Sequence, residues 1–388
     1  MKTIPKKNLY LVSIIFLSSI LIFTGCKKDD DSIINVESST PSPGDIFVAP
    51  FTYQDETSGN IMILDSAGNL ITNKKVDAEA LDFRKWTINN TVYYSYYEHD
   101  PDAYHIPETG YVPGDLVLLD ENLDEIKRLR LLPYNGRTPD DPDVLDSHEF
   151  VMIDEEHYIT LAYYEMEVDN IPDSLNPAEN CRVVAPIIQE VQNGEVIFEW
   201  NGTNYPEFYG VSAVDNDFSD AGHVNDYMHI NSVFIDPRDN NLICSFRNTD
   251  QVLKIHRTTG DIIWRLGGNN SDFPMTGEMY FYRQHHATLI NNNQTLMLFD
   301  NGSHDDRAYS RIIEFDLDEN SKEILAFRSL DLPDNLFAEF MGSVQKIGDN
   351  YFIGCGGVPK VLEINSLTEE VVLEIDLDET TYRAYKFQ

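Results

Sequence analysis

Residues 226–268, DYMHINSVFIDPRDNNLICSFRNTDQVLKIHRTTGDIIWRLGG, decide the fold. The stretch reads as four short strands, each an apolar or β-branched run closed by Asn, Asp or Gly. Its first strand opens on His229. The same pattern restarts at His285 with QHHATLINNNQTLMLFDNG and runs on through SRIIEFDLDENSKEILAF. A repeat of roughly 40–50 residues made of four strands is the period of a propeller blade.

Working outward, the template places one blade at about Phe83–Leu132, one at His148–Trp200, then His229–Leu266, His285–Phe327 and Gly342–Ile375. What remains is three strands near the N-terminus (APFTY, NIMILD, NLITNKKV) and one alternating strand, Thr381–Phe387, at the C-terminus. Pairing these ends makes a sixth blade and removes the open edges of the ring. The expectation is an all-β, six-bladed β-propeller over residues 45–388, closed by its N- and C-terminal strands. Three inner strands then begin at or beside a histidine: His148, His229 and His285. Matched positions on neighbouring blades aim side chains at one mouth of the channel. His286 is expected to point away from His285, outside the channel.

The chain ahead of the propeller reads differently. Lys2, Lys6 and Lys7 precede an apolar run from Leu9 to Phe23, the pattern of a secretory signal over residues 1–25. Phe23-Thr24-Gly25-Cys26 resembles the lipobox of bacterial lipoproteins, which implies acylation of Cys26. Stable anchoring needs two or more chains, which such a terminus supplies. Residues 26–44, rich in Asp, Ser, Pro and Thr, read as a flexible acidic tether. The expected location is the outer membrane or cell surface of a Gram-negative bacterium.

The formal charge is −38, from 66 acidic and 28 basic residues. Such a surface repels phosphates, which excludes general nucleic-acid binding. Any anion site must be a local exception built from concentrated Arg and His. Beyond Cys26 only Cys181, Cys244 and Cys355 remain, the last two in strand-like runs, so no disulfide framework is expected. Asp140, Asp141, Asp143 and Asp146 cluster in TPDDPDVLDSHE, but not at EF-hand spacing, and read as a solvated loop. No metal site is expected.

Asp226-Tyr227-Met228-His229-Ile230-Asn231-Ser232, Gln284-His285-His286-Ala287, Phe299-Asp300-Asn301-Gly302 and Tyr309-Ser310-Arg311-Ile312-Ile313-Glu314-Phe315 together resemble the bacterial, nucleotide-independent arylsulfate sulfotransferases. So does the closing VVLEIDLDETTYRAYKF. The resemblance implies transfer of a sulfuryl group from an aryl sulfate to a phenol through a sulfated histidine, with no cofactor. Carried over by motif, His229, His285, Arg311 and His148 are the implied catalytic residues, and Arg247 and Asn231 the implied substrate-binding ones. The sequence departs from the family at one point. The family's sulfated histidine follows a Gly-Gly pair on the last blade, whereas Cys355-Gly356-Gly357-Val358-Pro359-Lys360 runs straight into the next strand and no histidine follows His304. The nucleophile is then His229, His285 or His148, or transfer is direct, or activity is lost. A second reading is a non-catalytic surface propeller that binds aromatic sulfates or glycans, with Tyr93, Tyr94, Tyr96 and Tyr97 either at its mouth or, as is commoner for such alternation, packed within the strand. Oligomeric state is not legible.

Overall fold

The computed structural model describes residues 35–38, 41–52, 58–103, 106, 109–137 and 145–388. The expected signal peptide, Cys26 and most of the tether lie outside these residues, as do Asp140, Asp141 and Asp143. The rest is a ring of six antiparallel sheets with four main strands each.

Blade 1 joins Asp45–Phe51, Gly59–Leu64 and Leu70–Val76 to Thr380–Phe387 as its innermost strand. The join is antiparallel, with Phe47 opposite Tyr385 and Asp45 opposite Phe387. Blade 2 runs from Ala80–Ile88 to Glu125–Leu129, blade 3 from Phe150–Asp154 to Glu195–Asn201, and blade 4 from Ile230–Ile235 to Ile262–Gly267. Blade 5 runs from His285–Ile290 to Glu323–Asp331, and blade 6 from Ser343–Ile347 to Val371–Asp376. The repeat template therefore holds for all six blades, with the first inner strand starting at Ala80, a few residues before Phe83. Within the segment expected to be a tether, Asn35–Ser38 pairs with Val371–Asp376 and adds a strand to the outer edge of blade 6.

Each blade buries both faces against its neighbours, so central strands such as Leu242–Phe246 are apolar on both sides and wholly buried. The core is accordingly divided into slabs between sheets. Trp264 and Leu266 of blade 4 meet Leu296, Leu298 and Phe315 of blade 5. Ile46, Val48 and Ala384 of blade 1 meet Phe352, Val361 and Ile375 of blade 6. Cys181, Cys244 and Cys355 are buried in these slabs as free thiols. The tyrosines of the second reading belong to the blade, not to a mouth. Tyr94 stacks on Phe83, Tyr96 donates to Glu98 and Tyr97 to the Val112 carbonyl, while Tyr93 reaches Glu155.

Candidate active site

Turns leading into the inner strands shape one cavity of about 620 Å³. Its walls include Leu81, Tyr111, Val112, Phe340 and Met341, and its polar side presents His148, His229, His285 and Arg247. The expected convergence of three imidazoles is therefore present. His148 and His229 sit just ahead of their strands, and His285 opens its own.

Two of the imidazoles form a pair. Nε2 of His229 lies 3.2 Å from Nε2 of His148, with the rings edge-on at 89°. Nδ1 of His229 faces Asp226 at 2.5 Å, and Nδ1 of His148 faces Asp146. A carboxylate only accepts, so each Nδ1 must carry hydrogen. An Nε2–Nε2 hydrogen bond forms only when one further proton is bound, and with that proton in place the pair carries a single positive charge between two buried carboxylates. Burial lowers the proton affinity of His229, and Asp226 works against that effect. Tyr163 packs on both rings, Tyr382 meets His148 edge-on, and the backbone of Gly110 touches His229 so closely that a Cβ there would lie 2.9 Å from Cε1. His229 itself adopts the left-handed backbone region at φ +54°, a strained state for a non-glycine residue.

The third imidazole is held without a carboxylate. Nδ1 of His285 lies 2.8 Å from Oδ1 of Asn301 and 3.0 Å from the carbonyl of Arg283. Asn301 cannot turn, because its amide nitrogen donates to the carbonyls of Ala338 and Met341 at 2.7 and 2.8 Å. Nδ1 is thus the protonated nitrogen and Nε2 keeps a lone pair. Burial first, then the charge of Arg247, lowers the proton affinity of His285 well below the ordinary imidazole range. Arg247 bonds Asn248 at 3.0 Å, and among the described residues no carboxylate lies within ion-pair distance of it. A guanidinium stays charged even where burial and Arg283 push its proton affinity down.

Arg311 does not join this group. Its Nε donates to Asp300 at 2.8 Å, one terminal nitrogen to the carbonyls of Glu278 and Tyr280, and the other to the Glu278 carboxylate at 3.2 Å. Four of its five N–H donors are spent on bracing blade 5, and the residue does not line the cavity. Asn231 is likewise a brace: its side-chain amide nitrogen donates to the Gln284 carbonyl at 2.7 Å and its backbone carbonyl accepts from Arg383. His286 lies outside the cavity, as expected, with Nδ1 accepting the Val344 N–H at 3.3 Å. Asp146, read from sequence as part of an acidic loop, is a buried histidine partner instead. Sequence reasoning missed Asp226, Asp146, Asn301 and Gly110 as site residues. For the two aspartates the signal was there: an acid stands two or three places before each histidine. Among the described residues no cluster of His, Cys, Asp and Glu is arranged to hold a metal ion.

Other residues of these inner strands build a second network, buried except for the partly exposed Arg84. Arg383 bonds Glu149 at 3.0 Å and the Tyr385 hydroxyl at 3.1 Å, Asp82 lies 3.7 Å away, and Arg84 reaches Glu149 at 3.2 Å. Three cavity residues are followed directly in sequence by a network residue: Leu81 by Asp82, His148 by Glu149, Tyr382 by Arg383.

Among solved structures the chain is similar to the periplasmic gluconolactonase PpgL of Pseudomonas aeruginosa, at 9% identity and a TM-score of 0.48 over 89% of this chain and 99% of that one. It is also similar to the β-propeller domain of Cps50 (Swd1) from Myceliophteria thermophila, at 10% identity and a TM-score of 0.41 over 90% of each. No curated protein matches the chain. The profile of the arylsulfotransferase (ASST) family matches residues 102–377, and the chain belongs to that family.

Proposed function

We propose that the cavity transfers a sulfuryl group from an aryl sulfate to a phenolic acceptor. The observation that carries this reading is the meeting of three buried imidazoles, with His223 at the rim, and a guanidinium that has no carboxylate within ion-pair distance among the described residues, in one pocket of a strongly acidic protein. A sulfuryl group in transit spreads negative charge over three oxygens, much as a phosphoryl group does. Arg247 offers a fork of donors to those oxygens. The departing phenolate needs a proton and the incoming phenol must lose one. The proton held between His148 and His229 supplies the first need, and the emptied pair meets the second. Leu81, Val112, Phe340 and Met341 give the aromatic ring an apolar wall.

The test is release of 4-methylumbelliferone from its sulfate in the presence of phenol. Acceptor-dependent release, with phenyl sulfate as co-product, is expected. Calorimetric binding of the sulfate with no turnover over a range of acceptors would return the non-catalytic reading instead.

The propeller is further proposed to ride on a membrane through acylated Cys26, behind a cleaved signal over residues 1–25, at the outer membrane or cell surface. The sequence ahead of Cys26 supports this. Metabolic labelling with an alkyne fatty acid should mark the wild-type chain and spare Cys26→Ser. Equal labelling of both would refute the anchor.

A further inference from the structure

No histidine follows His304 where the resemblance implies a carrier on the last blade, so a covalent route through this cavity would use another of its nitrogens. Resting on the sulfuryl-transfer reading, we propose that Nε2 of His285 carries the group between donor and acceptor, with Asn301 as its positioning residue.

The argument is one of available nitrogens. His148 and His229 have both ring nitrogens engaged, one by an aspartate and one by each other. His223, which also lines the cavity, is tied by its Nε2 to Asp215 at the half-exposed rim. His285 alone among the buried cavity imidazoles has its Nδ1 occupied by acceptors and its Nε2 without a protein partner among the described residues. Asn301 suits a nucleophile better than an aspartate does. A neutral amide oxygen fixes the tautomer without adding negative charge, so the ring stays unprotonated and its lone pair stays available. The charged neighbours act in the same direction. Arg247 on blade 4, together with the His148–His229 pair, opposes a second proton on His285.

The step balances. The Nε2 lone pair forms the N–S bond as the S–O(aryl) bond breaks. The phenolate takes the proton shared by His148 and His229 and leaves as phenol. His285 becomes an imidazolium bearing SO₃⁻, its Nδ1–H still on Asn301. The acceptor phenol then passes its proton to the histidine pair, its oxygen bonds to sulfur, the N–S bond breaks and neutral His285 returns.

The experiment exposes the protein to 4-methylumbelliferyl sulfate without acceptor, quenches it and maps the modification on the peptide 284–307, with fragmentation separating His285 from His286. One sulfuryl group on His285 and a burst of one umbelliferone per protein are expected. His285→Ala should lose the burst, lower turnover roughly 10²-fold or more, and recover umbelliferone release when imidazole is added, with N-sulfoimidazole formed. Should that variant not fold, the wild-type mapping decides alone. Asn301→Asp places a carboxylate on Nδ1–H, so the acid limb of kcat/KM should move to higher pH, which a purely structural role for Asn301 would not produce. Label on His148 or His229, or turnover with no burst and no label, overturns the assignment while leaving sulfuryl transfer standing. No turnover with any donor overturns both.

Discussion

Two layers near the inner strands use the same residue types to opposite ends. In the cavity, among the described residues, Arg247 has no carboxylate within ion-pair distance and Nε2 of His285 has no protein partner. One residue further along the strands, Arg383 and Arg84 share Glu149, with Asp82 at 3.7 Å. A buried charge that is fully paired holds blades together, while one left unpaired at a cavity is available to a ligand. The difference teaches where to look for function in a propeller that buries several charged residues near its axis. It also explains why Arg311, paired to Asp300 and to the turn at 278–280, belongs with the bracing layer although motif resemblance ranks it with the site.

The largest expected effect lies in the paired layer. Arg383→Met leaves Glu149 and Asp82 buried with less compensation, and should cost about 3–5 kcal/mol of stability in denaturant melts. Adding Glu149→Leu to it should restore part of that loss. If the single variant melts like wild type, the network is not a brace and the contrast fails.

The second test sits in the cavity. Arg247→Leu should reduce kcat/KM roughly 10²–10³-fold, as for loss of a donor to developing negative charge, with an unchanged melting temperature. Arg311→Met should do the reverse: a lower melting temperature, with kcat/KM of the folded protein within about tenfold of wild type. An Arg311 variant that is stable and inactive would break the comparison.

The third sharpens the cavity itself. Asp226→Asn removes the charge that holds a proton on the His148–His229 pair, and should slow transfer by about 10–10²-fold. The loss should grow with the basicity of the leaving phenol, because poor leaving groups depend most on the proton. A uniform loss across leaving groups would place Asp226 in packing alone.

The architecture was legible in sequence because each blade repeats one pattern of β-branched runs and turns. The closure was legible because the ends supplied three strands and one. The convergence of His148, His229 and His285 followed from repeat position, since strands of equal register aim equal positions at one axis. Arg311 and Asn231 were not legible in this way. Whether a guanidinium is free or spent depends on residues such as Glu278 and Asp300, whose approach no repeat pattern encodes. Asn301 was hidden for the same reason. It reaches His285 from the neighbouring strand, and its orientation is set by carbonyls of the 338–341 loop.

The smallest expected effect joins the two layers through pH. Burial lowers the proton affinity of His229, His285 and His286, and for His286 the charges of Arg383 and Arg84 add to burial. Unfolded histidine titrates near pH 6.5. A group whose folded value lies below that binds more protons when unfolded, so its stability contribution is complete above about pH 6.5 and shrinks as pH falls. Asp250 acts the other way: burial pushes it up to about 6, so its contribution is complete at low pH and is lost as pH rises toward that value. From pH 7.5 down to about 6 the three histidines dominate, and the melting temperature should fall. His286→Gln keeps an acceptor for the Val344 N–H and removes one of the three titrations without touching the cavity. Its melting temperature should drop less over the same interval, by on the order of 1–2 °C. An identical slope in the variant would mean that the Arg383–Arg84 layer does not act on His286, and the electrostatic boundary between brace and cavity would have to be drawn elsewhere.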